Sequence, residues 1–158
     1  MKLKKVMQKS VVTIQPTGSV KEVAQLMKKK HVGSVIVVDK MNGKERTPIG
    51  MITDRDITLA IASNENFSPD LSISKMMSNN LIKSTEEEDI IQALIKMRER
   101  GVRRIPVVDH VNNLIGIVSF ENLLKVISAE VRNLSLALND QAVREDLANI
   151  NIFHLKQT

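Results

Sequence analysis

The chain has 158 residues, with 23 Lys+Arg against 18 Asp+Glu for a formal charge of +5, no Cys, Trp or Tyr, and three Phe. The missing cysteines exclude a disulfide framework, a thiolate zinc site, an iron–sulfur cluster and a cysteine nucleophile, and an aromatic content of 2% leaves few platforms for stacking single-stranded bases. A hydrophobic fraction of 42% with 26% charged residues is that of a globular chain, and its basic excess attracts anions without choosing among phosphate ligands, nucleic acid and acidic membrane.

In chain order, an arm containing Val6-Met7 leads to an extended segment at Val11-Val12. Ser19-Val-Lys-Glu22 then reads as a capping box, followed by a helix whose apolar residues Val20, Val23, Ala24 and Met27 have the three-and-four spacing of one buried face. The β-branched run Val35–Val38 predicts a buried strand, Met41-Asn-Gly43 supplies turn chemistry, and a second strand from Ile49 to Thr53 runs straight into a second helix. The same series then recurs. Met27–Asp39 lies over Met97–Asp109 with a methionine, three valines and the aspartate in common, and Pro48–Ile57 lies over Leu114–Leu123 after a turn four residues longer in the first copy. Upstream, Val6-Met7 matches Met76-Met77, and Val11-Val12 matches Leu81-Ile82. Asp89-Ile-Ile-Gln92 is the second capping box, Ile90, Ala93, Leu94 and Met97 are the second buried face, Ile105–Val108 and Leu114–Ser119 are the strands, and Val111-Asn-Asn113 is the turn. Copies of about 60 residues or fewer are too short for self-sufficient cores, so they are expected to pack on one another.

Beyond the repeat, Leu124, Ile127, Val131, Leu134 and Leu138 form a short heptad-like stripe, consistent either with a helix folded on its own module or with contact between two tails. Asn139-Asp140 is expected to break this helix before Val143, Leu147 and Ile150 continue a weaker stripe, and Ile152–Leu155 is either a frayed end or a cover for an exposed edge. No apolar stretch approaches the ~18–20 residues that span a bilayer, and no signal-peptide apolar run follows the Lys-rich start, so a cytoplasmic protein is expected.

Together, Val12-Thr-Ile14, the capped helix, His31–Asp39 and Ile49-Gly-Met-Ile-Thr-Asp-Arg-Asp56, all repeated, strongly resemble a tandem CBS-domain pair, or Bateman module, the family named after cystathionine β-synthase. The resemblance covers about residues 5–127 and divides the chain into domains at 5–62 and 73–127 with a helical tail at 128–158. It implies an α/β fold of two βαββα units related by a pseudo-twofold axis. It also implies clefts that bind AMP, ADP or ATP, or a larger relative such as NAD, and pairing of modules into a homodimer read by an effector protein.

For the residues of the cleft two readings stand side by side. Thr53 and Asp56 have the spacing of a helix cap, and Ser119 would serve the same purpose in the second copy. The resemblance instead turns the hydroxyl and the acid toward a ribose, whose vicinal diol suits an acceptor-only carboxylate better than the amide of Asn122. Arg103 and Arg104 suit bidentate phosphate contact, where the first copy has Gly33 and Ser34; Arg55 or lysines would be secondary. The resemblance lines the adenine pockets with Val12, Thr13, Ile14, Val32, Val35 and Ile36 in one copy and Ile82, Lys83, Val102, Ile105 and Pro106 in the other. The alternative for these apolar residues is a core position with or without ligand.

Catalysis finds little support. His31, His110 and His154 lack metal-ligand spacing, no Gly-rich phosphate loop is present, and Asp54 and Asp56, two apart on a helix, face different directions. The expectation is a regulatory binder without catalytic residues, metal or catalytic cofactor. The alternatives are a ligand-free dimeric interaction scaffold and, less favoured, a nucleic-acid-binding protein.

Overall fold

The computed structural model describes residues 1–41, 45–78 and 80–155, with side chains at 1–39, 46–78 and 80–139. Residues 1–120 form one compact unit and 121–158 a second. The first copy comprises β1 (Thr13–Ile14), α1 (Val20–Lys30), β2 (Ser34–Met41), β3 (Glu45–Thr53) and α2 (Asp54–Ser63). The second repeats it with β4 (Ser84–Thr85), α3 (Ile90–Arg100), β5 (Arg104–Val108), β6 (Leu114–Ser119) and the start of α4 (Phe120–Leu155). In each three-stranded sheet the short first strand pairs in parallel with the second, which forms an antiparallel hairpin with the third.

The caps form as the sequence dictates. Glu22 N–H donates to Ser19 Oγ while Ser19 N–H donates to Glu22 Oε2, and Asp89 N–H donates to Gln92 Oε1. Both first helices end on a left-handed residue, Gly101 at φ 63° and His31 at φ 53°. Glycine takes that conformation without a Cβ penalty; histidine does not.

The first hairpin is longer than expected. β2 runs on to Met41 and β3 begins at Glu45, because cross-strand pairing continues through Asp39↔Thr47 and Met41↔Glu45. The expected turn residues Asn42 and Gly43 lie outside the described residues. Pro48, which has no N–H to give, sits where the register shifts between Val37 and Val38, the position at which a sheet tolerates proline.

Strand alternation builds two cores from adjacent residues. Val35 and Val37 pack with Val20, Val23 and Met27 of α1, Ile52 of β3, and Ile73. Ile36 and Val38 project from the opposite face and pack with Leu114 of the second copy. Each such fully buried side chain contributes about 1.5–3 kcal/mol. Ala24 departs from the expected buried face: it is exposed and borders an apolar groove with Ile57, Ile61 and Phe67, while Leu26 packs against the core instead.

The arms cross over. The segment before the first copy docks on the second: Leu3 N–H donates to Glu88 O and Lys4 N–H to Glu86 O, Gln8 and Ile117 exchange backbone bonds, and Leu3 is wholly buried. The segment before the second copy docks on the first: Ile73 N–H donates to Gly18 O, Ser78 N–H to Met51 O, and Ile73 is wholly buried. A Cβ at Gly116 would stand 2.7 Å from Met7 Sδ and one at Gly50 would stand 2.6 Å from Met77 Sδ, so these glycines make room for the two methionines. This reciprocity is the pseudo-twofold relation between the copies.

The second unit is helical. The break expected at Asn139-Asp140 does not occur, and α4 is continuous to Leu155. Asn and Asp cost only about 0.7 kcal/mol or less in a helix, and neither Gly nor Pro interrupts this one. Val131, Leu134 and Leu138 are exposed at 59%, 66% and 69%. The side chains of Val143, Leu147, Ile150 and Ile152–Leu155 lie outside those described.

Candidate ligand-binding cleft

A cavity of about 430 Å³ opens between the two copies. The first copy contributes Thr53 at the end of β3 and Asp56 and Arg55 in the first turn of α2; the second contributes Val102, Arg103 and Arg104 around the start of β5. Six residues expected at a site from separate stretches of sequence thus line one cavity.

The Thr53–Asp56 pair is a complete capping box. Thr53 N–H and O–H donate to Asp56 Oδ2 at 2.8 and 2.7 Å, and Asp56 N–H donates to Thr53 Oγ1 at 3.2 Å. Both bonds that Thr53 donates end on one carboxylate oxygen; among the described residues Asp56 Oδ1 accepts no hydrogen bond. Capping and ligand contact are therefore compatible, since an ionised carboxylate has acceptor sites to spare. α2 also begins at this cavity, with its first N–H groups already taken: Asp54 N–H donates to Gly33 O, Arg55 N–H to Asp54 Oδ1 and Asp56 N–H to Thr53 Oγ1.

The other expected residues are placed differently. Val35, Ile36 and Ile105 are at most 1% exposed, and Pro106 is buried, so their side chains are core. Val12 and Val32 pack against the first core, Ser34 is buried, and Thr13 pairs with Ile36 in the sheet. Ile14 borders a separate groove of about 560 Å³ with Gln15, Gly18, Gln25 and Lys29. In the second copy Ile82 is half-buried, and the Lys83 ammonium donates to Asn112 Oδ1 at 3.1 Å, anchored on the β5–β6 turn. Ser119 ends β6 and Asn122 lies in the first turn of α4.

Met51, Asp54, Ser78 and Gly101 also line the cavity, and sequence reasoning missed them as site residues. Ser78 arrives with the crossed arm, whose Met76-Met77 match to Val6-Met7 was the available signal. Asp54 arrives because its N–H donates to Gly33 O at 3.2 Å. The equivalent Phe120 N–H donates to Arg103 O at 2.8 Å, so the backbone fixes this position in both copies.

Outside the cleft, Glu88 and Lys96 of the second copy form an ion pair. Burial pushes Glu88 up, but hydrogen bonds from Lys96 and Ser84, the Lys96 charge and the Thr85 backbone together outweigh it and hold the carboxyl below its usual range. Lys96 Nζ stands 2.6 Å from Glu88 Oε1. No cluster of three or more metal-ligating side chains occurs among the described residues, and none of their helices is long and apolar enough to cross a membrane.

A βαββα unit written twice, with crossed arms and a cleft lined by both copies, defines a tandem α/β module. The CBS domain model matches residues 3–63 and 73–129, and the chain belongs to the CBS domain family. It is 34% identical over 121 residues to the CBS domain-containing protein YhcV of Bacillus subtilis, covering 77% of this chain and 81% of that protein. It is also 34% identical over 122 residues to the uncharacterized protein MK0525 of Methanopyrus kandleri, covering 77% of this chain but only 60% of the relative's length. Among solved structures, the CBS domain pair of protein MJ0100, in complex with 5′-methylthioadenosine and S-adenosyl-L-methionine, is 26% identical with a TM-score of 0.72, covering 82% of this chain and 98% of that one.

Proposed function

We propose that this chain is a regulatory module that binds an adenine nucleotide, AMP, ADP, ATP or a relative such as NAD, in the cleft between its two CBS domains. The observation that carries this reading is the convergence on one 430 Å³ cavity of a carboxylate with a spare acceptor, Asp56, and guanidiniums from the other copy, Arg103 and Arg104. The adenosyl ligands of the MJ0100 pair support it from the side of fold and family. In this reading Asp56 accepts from the ribose diol, the arginines take the phosphates, and aliphatic side chains flank the adenine. The functional halves are residues 5–62 and 73–127, with 128–158 as a tail. The module has no catalytic chemistry of its own, acts in the cytoplasm as a homodimer, and reports to an effector protein. Such a switch works only if the nucleotide binds two conformations with different affinity.

Thermal denaturation with AMP, ADP, ATP, NAD and S-adenosylmethionine tests this, on the wild type and on Asp56→Ala. Ligand at 100-fold over its Kd stabilises by about 2.7 kcal/mol. The expected result is a saturable rise in Tm with at least one nucleotide, lost or strongly weakened in Asp56→Ala. No shift with any ligand would sink the proposal, and an undiminished shift in Asp56→Ala would reduce Asp56 to a helix cap.

A further inference from the structure

Asp54 is a second carboxylate on the cleft beside Asp56, and it works against an anionic ligand. Its Oδ1 accepts from Arg55 N–H at 2.8 Å, a local bond at the start of α2. Its Oδ2 turns toward Gly33, where a Cβ would stand 3.1 Å from that oxygen and 3.5 Å from Arg104 Nη2. A carboxylate from one copy and a guanidinium from the other thus reach the same point, and the glycine leaves that point open. Gly33 has no left-handed backbone to explain it. A phosphate oxygen taken by Arg104 Nη2 on this side arrives beside the Asp54 carboxylate.

We infer that Asp54 is a specificity-determining residue that limits how much negative charge the cleft accepts, setting the preference among mono-, di- and triphosphates. The inference rests on the cleft being a nucleotide site. Like charges a few ångströms apart repel, more strongly as the ligand gains charge, whereas an uncharged nucleoside is indifferent to the carboxylate. The backbone bond of residue 54 to residue 33 fixes the position. The second copy carries Phe120 at the equivalent position.

Calorimetric titration of adenosine, AMP, ADP and ATP, without divalent cations, into the wild type, Asp54→Asn and Asp54→Glu reads the effect. Asp54→Asn should tighten ATP by roughly three- to tenfold, AMP by less, and adenosine not at all, and the gain should shrink at high salt because Asp54 is exposed. Asp54→Glu, which restores the charge, should return the order of affinities toward that of the wild type. An equal change for adenosine and ATP in Asp54→Asn would overturn the inference while leaving the nucleotide site intact. So would weaker ATP binding by Asp54→Asn only when Mg²⁺ is added, which would make the carboxylate a cation ligand. Failure of every ligand, adenosine included, to bind any of the three proteins would overturn the underlying site as well.

Discussion

A leucine three residues into the sequence would ordinarily tolerate truncation, since segments ahead of a first strand tend to fray. Here Leu3 is wholly buried on the opposite copy, flanked by the Leu3-to-Glu88 and Lys4-to-Glu86 backbone bonds at 2.9 and 3.0 Å. Leu3→Ala removes about three buried carbons and leaves a cavity unless the arm shifts; buried Leu→Ala changes cost about 2–5 kcal/mol. The unit spanning Met1–Phe120 has an unfolding entropy near its Tm of about 0.25 kcal/mol/K at ~2.1 cal/mol/K per residue. A loss of about 3 kcal/mol then lowers Tm by roughly 12 °C. Thermal and urea denaturation followed by circular dichroism would measure it, with exposed Lys5→Ala as control. Because Ile73 holds the equivalent place on the other arm and is equally buried, Ile73→Ala should cost a comparable amount. A fall in Tm below about 3 °C for Leu3→Ala would show that the arm is not docked on the second copy and would refute the crossed arrangement.

His31→Gly should raise stability by about 0.5–1 kcal/mol, seen as a Tm increase of a few degrees, because it relieves a left-handed histidine at a position where the other copy has Gly101. An unchanged or lower Tm would show that the His31 side chain makes a compensating contact. The Glu88–Lys96 pair predicts an acid-sensitive contribution. The folded carboxyl titrates below its unfolded range, so its stabilisation is complete above the unfolded pKa and disappears as pH falls through the folded one. Tm should therefore drop on acidification from pH ~5 to ~3, and Glu88→Gln should be less stable at pH 7 but lose less over that interval. Parallel pH profiles for the two proteins would contradict it.

What was legible in the sequence is what local physics writes there. Ser19–Glu22, Thr53–Asp56 and Asp89–Gln92 announce helix starts because each box closes within four residues. The repeat announces the βαββα unit, and the contrast between Gly33-Ser34 and Arg103-Arg104 marks a strand entry where the second copy carries two more positive charges. The extent of the first hairpin was not legible, because strand length there follows cross-strand pairing rather than composition. Nor could the run from Val32 to Ile36 be a site as a block. A strand sends neighbours to opposite faces, so Val35 enters the core of its own copy while Ile36 meets Leu114 of the other.

Contacts between segments distant in sequence account for what escaped in the cleft itself. Spacing along the chain set Asp54 and Asp56 on different faces of α2, yet both line the cavity. It could not show that the face carrying Asp54 meets residue 33, nor that Ser78 joins Met51 on the cavity wall, because both contacts link distant segments. A ligand held by Asp56 of one copy and Arg104 of the other would touch a wall completed by the arm that ties the copies together. Under the proposed function, occupancy would couple to the mutual position of the two copies, and a ligand that fits one spacing better than another would shift the population between them. A cleft built within either copy alone would have no such leverage.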